Sequence, residues 1–303
     1  MAVKNKKKLI IGVENQALPL AQANLVRDTL SNYYPEYEFH IQAVQLQNSA
    51  LFNSPRYNQN LDRNATNELE MALRSHSIDC IVRNVKNLPL ELPSDVTLAA
   101  YLPREDARDA LVGSRIEHIL PSAVIGFDCL LCAALFNTIR PDINIVIAIR
   151  EIKAVFERFR SGEYNAIVLS AADLKWLGLE YEISEYLDPR VIIPAAGQGI
   201  IAIETNAGAK KMQDIVSKIH HDPTYYCAMA ERAFVREIWQ KFAIPVGAHA
   251  EIIDASLQLS VVLAPETGLP LYGNSFGLPE HAERIGQELA FVMLRNDSFS
   301  AES

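Results

Sequence analysis

The chain has 303 residues, of which 49% are hydrophobic, and its formal net charge at pH 7 is −9. This length and apolar content suffice for two or three domains with cores of their own. The negative charge and the lack of a basic stripe argue against nucleic acid as a partner. No apolar run reaches the length of a membrane span, and no signal-peptide core is apparent. We therefore expect a soluble, monomeric protein of the cytoplasm.

The first hundred residues alternate between predicted strands and helices. Apolar or alternating runs predict strands, and apolar residues at helical spacing predict helices, in the order strand 8–13, helix 18–33, strand 38–44, helix 67–73 and strand 79–82. The polar stretch 45–62 predicts a mobile loop. This alternation predicts parallel sheets with βαβ crossovers.

A second set of the same kind begins near Arg104. Its predicted elements are strand 123–126, helix 130–139, strand 144–149, helix 152–159, strand 166–169 and helix 171–177. Gly197 and Gly199 then flank Gln198 before an apolar run. This arrangement predicts a chain that crosses close to other backbone and then enters a strand.

The order of elements changes from about residue 212. The predicted elements there are helix 211–219, helix 223–240, strands 248–253, 257–263 and 270–276, and helix 282–295. Two helices followed by three strands and a last helix are typical of a small α+β domain.

Two long strings in this chain carry a resemblance to a known family. Residues 162–179 read GEYNAIVLSAADLKWLGL, and residues 194–204 read PAAGQGIIAIE. They resemble the strings GEYDAIILAxAGLKRLGL and PAxGQGAxxIE of porphobilinogen deaminase, also called hydroxymethylbilane synthase. Shorter matches are residues 67–73 to KELExAL, residues 104–110 to REDPRDA, Arg140-Pro-Asp142, Ala230-Glu-Arg-Ala233, and residues 244–247 to VPIG.

The resemblance covers nearly the whole chain and implies an α/β fold. It implies two periplasmic-binding-protein-like α/β domains with a cleft between them, plus a small C-terminal α+β domain. The first domain would comprise residues 1–102 and 196–216, the second residues 103–195, and the third residues 217–303. The chain would thus cross between the first two domains twice.

The resemblance also implies a chemistry. The family assembles a linear tetrapyrrole from porphobilinogen on a dipyrromethane cofactor that is held by a cysteine thiol. Arginines are needed because each pyrrole carries two carboxylates. An aspartate is needed because the loss of ammonia leaves a cation.

The thiol and the aspartate are both missing at the positions that the motifs assign to them. The family's loop GGCQVPIG aligns with residues 240–247, which places Phe242 where the cysteine would stand. The family's HSxKDxP aligns with residues 83–89, so Asn87 replaces the aspartate and Asn84 the serine, while Lys86 is retained. Phenylalanine cannot form a thioether, and an amide carries no charge.

Five arginines of the family's motifs are missing as well. Glu14 stands for the arginine and Gln16 for the serine of RxSxLAxxQA, and Asp128 replaces a hydroxyl in GTSSLRR. The other four arginine positions, two in GTSSLRR and two in RGNVxTR, hold Leu131, Cys132, Ile149 and Val155. A carboxylate in a dry site without a counter-ion is costly, so Glu14 and Asp128 would oppose a polyanionic product.

These losses predict no cofactor and no intact catalytic residue. Our first hypothesis is a binding or regulatory protein that keeps the family's scaffold without its activity. The second is an active hydroxymethylbilane synthase with a relocated cofactor cysteine. The third is a binder of a different small molecule, cationic or neutral, in a cleft that Glu14, Asp128 and Lys86 would line.

The remaining cysteines and histidines support no metal site. The four cysteines, at positions 80, 129, 132 and 227, are too few for a disulfide framework. Cys129 and Cys132 have CxxC spacing, but no second pair completes a zinc set, so we expect apolar packing at a helix start, with Cys132 an alternative attachment point. His220-His221 is interpreted as a pair at a helix end.

Overall fold

A computed structural model describes residues 7–45, 67–147, 151–265 and 268–295. The predicted mobile loop at 45–62 lies outside the described residues except for Gln45. Ile149 also lies outside them. Within the described ranges, no helix is long and apolar enough to cross a membrane.

The first domain is a five-stranded sheet flanked by helices. Its elements are β1 (Lys7–Glu14), α1 (Ala17–Tyr33), β2 (Tyr37–Val44), α2 (Asn67–Arg74), β3 (Cys80–Asn84), β4 (Val96–Tyr101), β10 (Ile201–Asn206) and α6 (Lys210–Val216). The strand order is β2-β1-β3-β10-β4. The apolar face of α1, which includes Val26 and Leu30, packs on Ile11 and Ile203 of the sheet and closes the core.

The second domain repeats this plan. Its elements are β5 (Asp109–Val112), β6 (Val124–Phe127), α3 (Leu130–Ile139), β7 (Asn144–Ile147), α4 (Ile152–Arg160), β8 (Ala166–Ser170), α5 (Ala171–Trp176) and β9 (Ile183–Tyr186). The strand order is β7-β6-β8-β5-β9. All five residues of β8 are buried because helices cover both faces of the sheet.

The prediction of parallel sheets is wrong for part of each sheet. Strands β1, β2 and β3 run parallel, as do β6, β7 and β8. However, β10 is antiparallel to β3 and β4, and β5 is antiparallel to β8 and β9. Both β5 and β10 are entered directly from a segment that crosses between the domains, so no crossover helix sets their direction.

The third domain is small and has the predicted order of elements, except that the first of the two predicted leading helices, 211–219, packs on the core of the first domain. Helix α7 (Asp222–Trp239) precedes the antiparallel strands β11 (Val246–Ile253), β12 (Ser256–Leu263) and β13 (Leu271–Gly277), and α8 (Ala282–Leu294) follows. Both helices pack on one face of the sheet around Phe234, Leu259 and Leu289. The predicted fold class of two α/β domains with a cleft plus a small α+β domain is confirmed. The exact domain boundaries stay a prediction.

The segment around Gln198 crosses between the domains as predicted. Gly197 and Gly199 have φ values of 75° and 77°, which side chains rarely tolerate. A Cβ on Gly197 would lie 2.8 Å from the backbone nitrogen of Lys86, and one on Gly199 would lie 2.5 Å from the backbone oxygen of Glu105. Only glycine fits at either position, because backbone occupies the space.

Candidate functional site

A cleft with a volume of about 1120 Å³ lies between the two α/β domains. It lies at the carboxyl ends of β1, β3 and β6, where ligands of open α/β sheets characteristically bind. Helix α7 of the third domain contributes a further wall. The predicted site residues that line this cleft are Glu14, Gln16, Asn84, Lys86, Asn87, Asp128 and Cys129.

Other predicted positions do not reach the cleft. Leu131, Cys132 and Val155 are at most 2% exposed and belong to the cores of the second domain. The expectation that Cys132 could serve as an attachment point in the cleft is therefore wrong, because its side chain packs inward from α3. Phe242, which follows α7, is partly exposed and is not among the residues that line the cleft.

Lys86 lines the cleft and forms an ion pair with Asp173. Its Nζ lies 2.8 Å from Oδ2 of Asp173, and Asn84 Nδ2 donates to the other carboxylate oxygen at 3.4 Å. Burial alone would lower the pKa of Lys86, but the charges of Asp173 and Asp128 outweigh it and raise that pKa. Lys86 is thus held as a cation by acids of the protein itself.

Two acids near Lys86, the buried Asp109 and the half-buried Asp128, hold their protons more tightly than usual. Burial raises the pKa of Asp128 to about 6, although Lys86 opposes this shift. Burial and the charge of Asp128 raise the pKa of Asp109 to about 7, although Gln198 Nε2 donates to its Oδ1 at 3.1 Å. These groups exchange protons in the neutral range, which is a property of functional and of structural acid clusters alike.

The raised pKa of Asp109 gives an expected pH dependence of stability. Because the folded protein binds this proton more tightly than the unfolded chain, Asp109 favours folding at low pH, and its contribution is lost as the pH rises from about 4 to about 7. The melting temperature of the parent protein should therefore fall as the pH rises over this range, and it should fall less in Asp109→Asn. Thermal melts of both proteins at pH 4.5, 6 and 8 measure the difference.

Asp188→Asn is the control for this prediction. Hydrogen bonds from Arg190 lower the pKa of Asp188 to about 2, so its stabilisation is lost only below the range of the melts. This variant should keep the pH slope of the parent protein. An equal pH slope in the parent and Asp109→Asn would contradict the assignment.

Glu14 has a counter-ion on the neighbouring strand β3. Arg83 Nη1 lies 3.7 Å from its Oε1, and Arg83 Nε lies 3.0 Å from Oε1 of the buried Glu204. Burial nevertheless raises the pKa of Glu14, with Arg83 opposing the shift. Glu14 is therefore paired within the protein, so its charge is not left uncompensated in the cleft.

Three of the matched motifs meet in one polar junction of the three domains. Glu231 of α7 is fully buried, and its Oε1 lies 2.5 Å from Arg104 Nη1. Its two carboxylate oxygens also accept from the backbone N–H groups of Gly197 and Ala250, each at 2.7 Å. Arg104 Nε donates to the carbonyl of Gln198 at 2.9 Å. The motifs around 104–110, 197–199 and 230–233 therefore act in assembly of the domains, outside the predicted chemistry.

Comparison with known proteins decides the family. The family described as "Porphobilinogen deaminase, dipyromethane cofactor binding domain" matches residues 9–214. The porphobilinogen deaminase of Thermus thermophilus is 33% identical over 287 residues, which cover 93% of this chain and 94% of that protein. That of Chlorobium chlorochromatii is 30% identical over 298 residues, covering 96% and 95%. The chain belongs to the porphobilinogen deaminase family.

Solved structures give weaker similarities. The methionine binding protein MetQ aligns with a TM-score of 0.45 and 10% identity, covering 72% of this chain and 92% of that one. The VFT2 domain of BvgS from Bordetella pertussis aligns with a TM-score of 0.40 and 16% identity, covering 77% and 93%.

Three functional positions were missed by the sequence analysis. The family strings have glycine where this chain has Asp173, arginine where it has Trp176, and histidine where it has Arg83. Asp173 is the ion-pair partner of Lys86, and Arg83 is that of Glu14. These changes could have been noticed in the strings. Each one alters the charge or the size of the residue at a position that the family string specifies.

The thiols are poorly suited to replace the missing attachment cysteine of the porphobilinogen deaminase family. Only Cys129 is partly exposed, and it lines the cleft. Burial and the nearby Asp109 raise its pKa to about 12, so the nucleophilic thiolate is scarce at neutral pH. Burial likewise raises the pKa of Cys80, Cys132 and Cys227.

The two adjacent histidines lie at a helix end, as predicted. Nδ1 of His221 faces the backbone N–H of Thr224 at 3.4 Å and its hydroxyl at 2.8 Å at the start of α7. Nδ1 of His220 accepts from the backbone N–H of Tyr101 at 3.2 Å. Across the part of the chain that the structure describes, no cluster of ligands suits a metal ion.

Proposed function

We propose that this chain is a member of the porphobilinogen deaminase family without hydroxymethylbilane synthase activity, and that it serves a binding or regulatory role. The observation that carries the proposal is the state of Lys86. This retained cation is paired with Asp173 and lies within the field of Asp128, so it has no free charge for a substrate carboxylate. Phe242 at the cysteine position and Asn87 at the aspartate position support the same conclusion.

The arginines of the cleft support the proposal as well. Each arginine that lines the cleft is already engaged with an acceptor of the protein. The partners are Glu14 and Glu204 for Arg83, Glu163 for Arg158, Glu182 for Arg160, and the carbonyls of Pro89 and Leu90 for Arg232. A polycarboxylate chain would compete with the buried pair of Arg83 and Glu204 and with the more exposed, weaker pairs of Arg158 and Arg160.

A porphobilinogen consumption assay tests the loss of activity. We expect no consumption by the parent protein, with the enzyme of Thermus thermophilus as the active reference. Phe242→Cys restores the thiol alone, so it should also remain inactive because neither the aspartate nor the arginines return with it. Consumption by the parent protein would refute the proposal, and consumption by Phe242→Cys would mean that the thiol was the only essential loss.

An active enzyme with a relocated cysteine is the second candidate. Its one supporting observation is that Cys129 lines the cleft. The raised pKa of this thiol opposes it, since attachment needs a nucleophilic sulfur. A covalent adduct on Cys129 would establish this candidate.

A binder of a different small molecule is the third candidate, and the cleft itself supports it. Its volume of about 1120 Å³ is at the upper end of what small-molecule sites use. Apolar walls from Leu88, Val235 and Trp239 surround the charged centre. A thermal-shift screen identifies such a ligand, because binding to the native state raises the melting temperature.

A further inference from the structure

We infer that Asp173 is a tethered carboxylate that occupies Lys86, links the two α/β domains across the cleft, and excludes free carboxylate ligands from this position. The inference rests on the proposed function in one respect, that the cleft is the binding site. It assigns to Asp173 a role in ligand specificity.

The contact spans the cleft from one domain to the other. Lys86 follows β3 in the first domain, while Asp173 lies on α5 in the second. Their atoms Nζ and Oδ2 are 2.8 Å apart, and Asn84 of the first domain engages the other oxygen of Asp173. Asp173 is only 3% exposed, so both oxygens are withdrawn from water. A short, desolvated, charge-assisted hydrogen bond of this kind is among the stronger polar contacts.

Two neighbours of Asp173 reinforce the link between domains. Trp176, at the end of α5, packs against the core of the first domain near α1. Lys175 Nζ lies 3.1 Å from Oε1 of Glu105, which belongs to the segment that crosses between the domains. One short helix therefore supplies an ion pair and an aromatic contact to the first domain, and a second ion pair to the segment that crosses between the domains.

The balance of charge at this point disfavours a second anion. Lys86 forms a hydrogen bond with Asp173, and the negative charge of Asp128 also acts on it. The charges of two carboxylates therefore already act on one ammonium group. A free carboxylate must compete with Asp173, which acts at the high effective concentration of a group on the same chain. Displacing Asp173 would also leave it buried without its partner, which is costly. The site therefore rejects carboxylates and tolerates neutral or cationic ligands.

Asp173→Ala tests the inference, with tricarballylate as a probe that carries three carboxylates. We expect isothermal titration calorimetry to find that Asp173→Ala binds the probe at least about tenfold more tightly than the parent protein. Small-angle X-ray scattering should find a larger radius of gyration for the variant, because the link across the cleft is lost. Asp95→Ala removes an exposed ion pair with Arg74 in the first domain and should change neither quantity.

A double variant identifies the cation that binds the probe. Lys86→Met in the Asp173→Ala background should return probe binding to the parent level. If Asp173→Ala does not fold, Asp173→Asn, which keeps the shape and removes the charge, takes its place. Equal affinity for the probe in the folded variant and the parent would overturn the inference, as would a gain that survives Lys86→Met.

The outcome is independent of the test of activity. Tricarballylate is not a pyrrole and cannot be polymerised, so its affinity does not depend on the family's activity. A parent protein that consumes porphobilinogen would refute the proposed function. Only the affinities of the variants for the probe decide the role of Asp173.

Discussion

Glu231→Ala is expected to lower the free energy of unfolding by about 3–5 kcal/mol. Glu231 is fully buried and accepts from Arg104 and from the backbone N–H groups of Gly197 and Ala250. Its removal leaves a nearly buried guanidinium without its counter-ion and two backbone donors without an acceptor. Urea denaturation followed by circular dichroism measures the loss.

Glu283→Ala is the matched control for this variant. Glu283 of α8 pairs at 2.9 Å with Arg236, which lies on α7 like Glu231. The side chain of Glu283 is 48% exposed. An exposed pair of this kind contributes about 1 kcal/mol or less. Similar losses from the two variants would contradict the account of Glu231 as the junction of the three domains.

Gly199→Ala is expected to destabilise the protein by about 3 kcal/mol or more. Two costs combine at this residue. Its φ of 77° disfavours any side chain, and the added Cβ would lie 2.5 Å from the backbone oxygen of Glu105. That backbone cannot move away easily, since Glu105 N donates to the carbonyl of Gly199 at 2.8 Å. The change in the free energy of unfolding measures the sum of both costs.

Gly162→Ala separates the two costs. Gly162 has a similar φ of 81°, but nothing lies within 4 Å of the position of its Cβ. This variant should lose only the backbone term, about 1–2 kcal/mol. If Gly199→Ala costs no more than Gly162→Ala, the two crossing segments are not packed as closely as described.

Elements with a regular apolar pattern could be predicted from the sequence, and three strands could not. The helical spacing of α1 and the apolar run of β8 each lie where the pattern indicates them. The strands β4, β5 and β9 were missed. Length alone does not explain this, because β6 and β7 are as short as β5 and β9 and were predicted. The pairing of the missed strands is set by segments distant in the sequence, which local patterns do not report.

The candidate site was predicted less completely than the fold, for a physical reason. Motif positions place Glu14, Lys86 and Asp128 in the cleft correctly, because the scaffold fixes where strands end. Motif positions do not give the direction of a side chain. Leu131 and Cys132 were therefore assigned to the cleft, although both are buried in the core of the second domain. The partner of Asp173 lies in the other domain, and such a contact cannot be read from motif positions.

The pattern of matched and changed motifs acquires a structural meaning from these contacts. Residues that match the family strings at Arg104, Gln198 and Glu231 hold the domains together. Residues that depart from the strings at Glu14 and Asp173 have counter-ions inside the protein. The changed charges in the cleft are thus balanced by groups of the protein, and the cleft itself is kept. Both features fit the proposed binding role better than random loss of function.

The intact mass of the protein purified from a host that makes porphobilinogen tests the central claim most directly. An attached dipyrromethane cofactor adds a fixed mass, and an aldehyde reagent would stain it. We predict the unmodified mass of the chain, because the cysteine position holds Phe242 and the thiols of the chain have raised pKa values. A mass increased by a dipyrromethane, mapped by peptide digestion to Cys129 or another cysteine, would contradict the account.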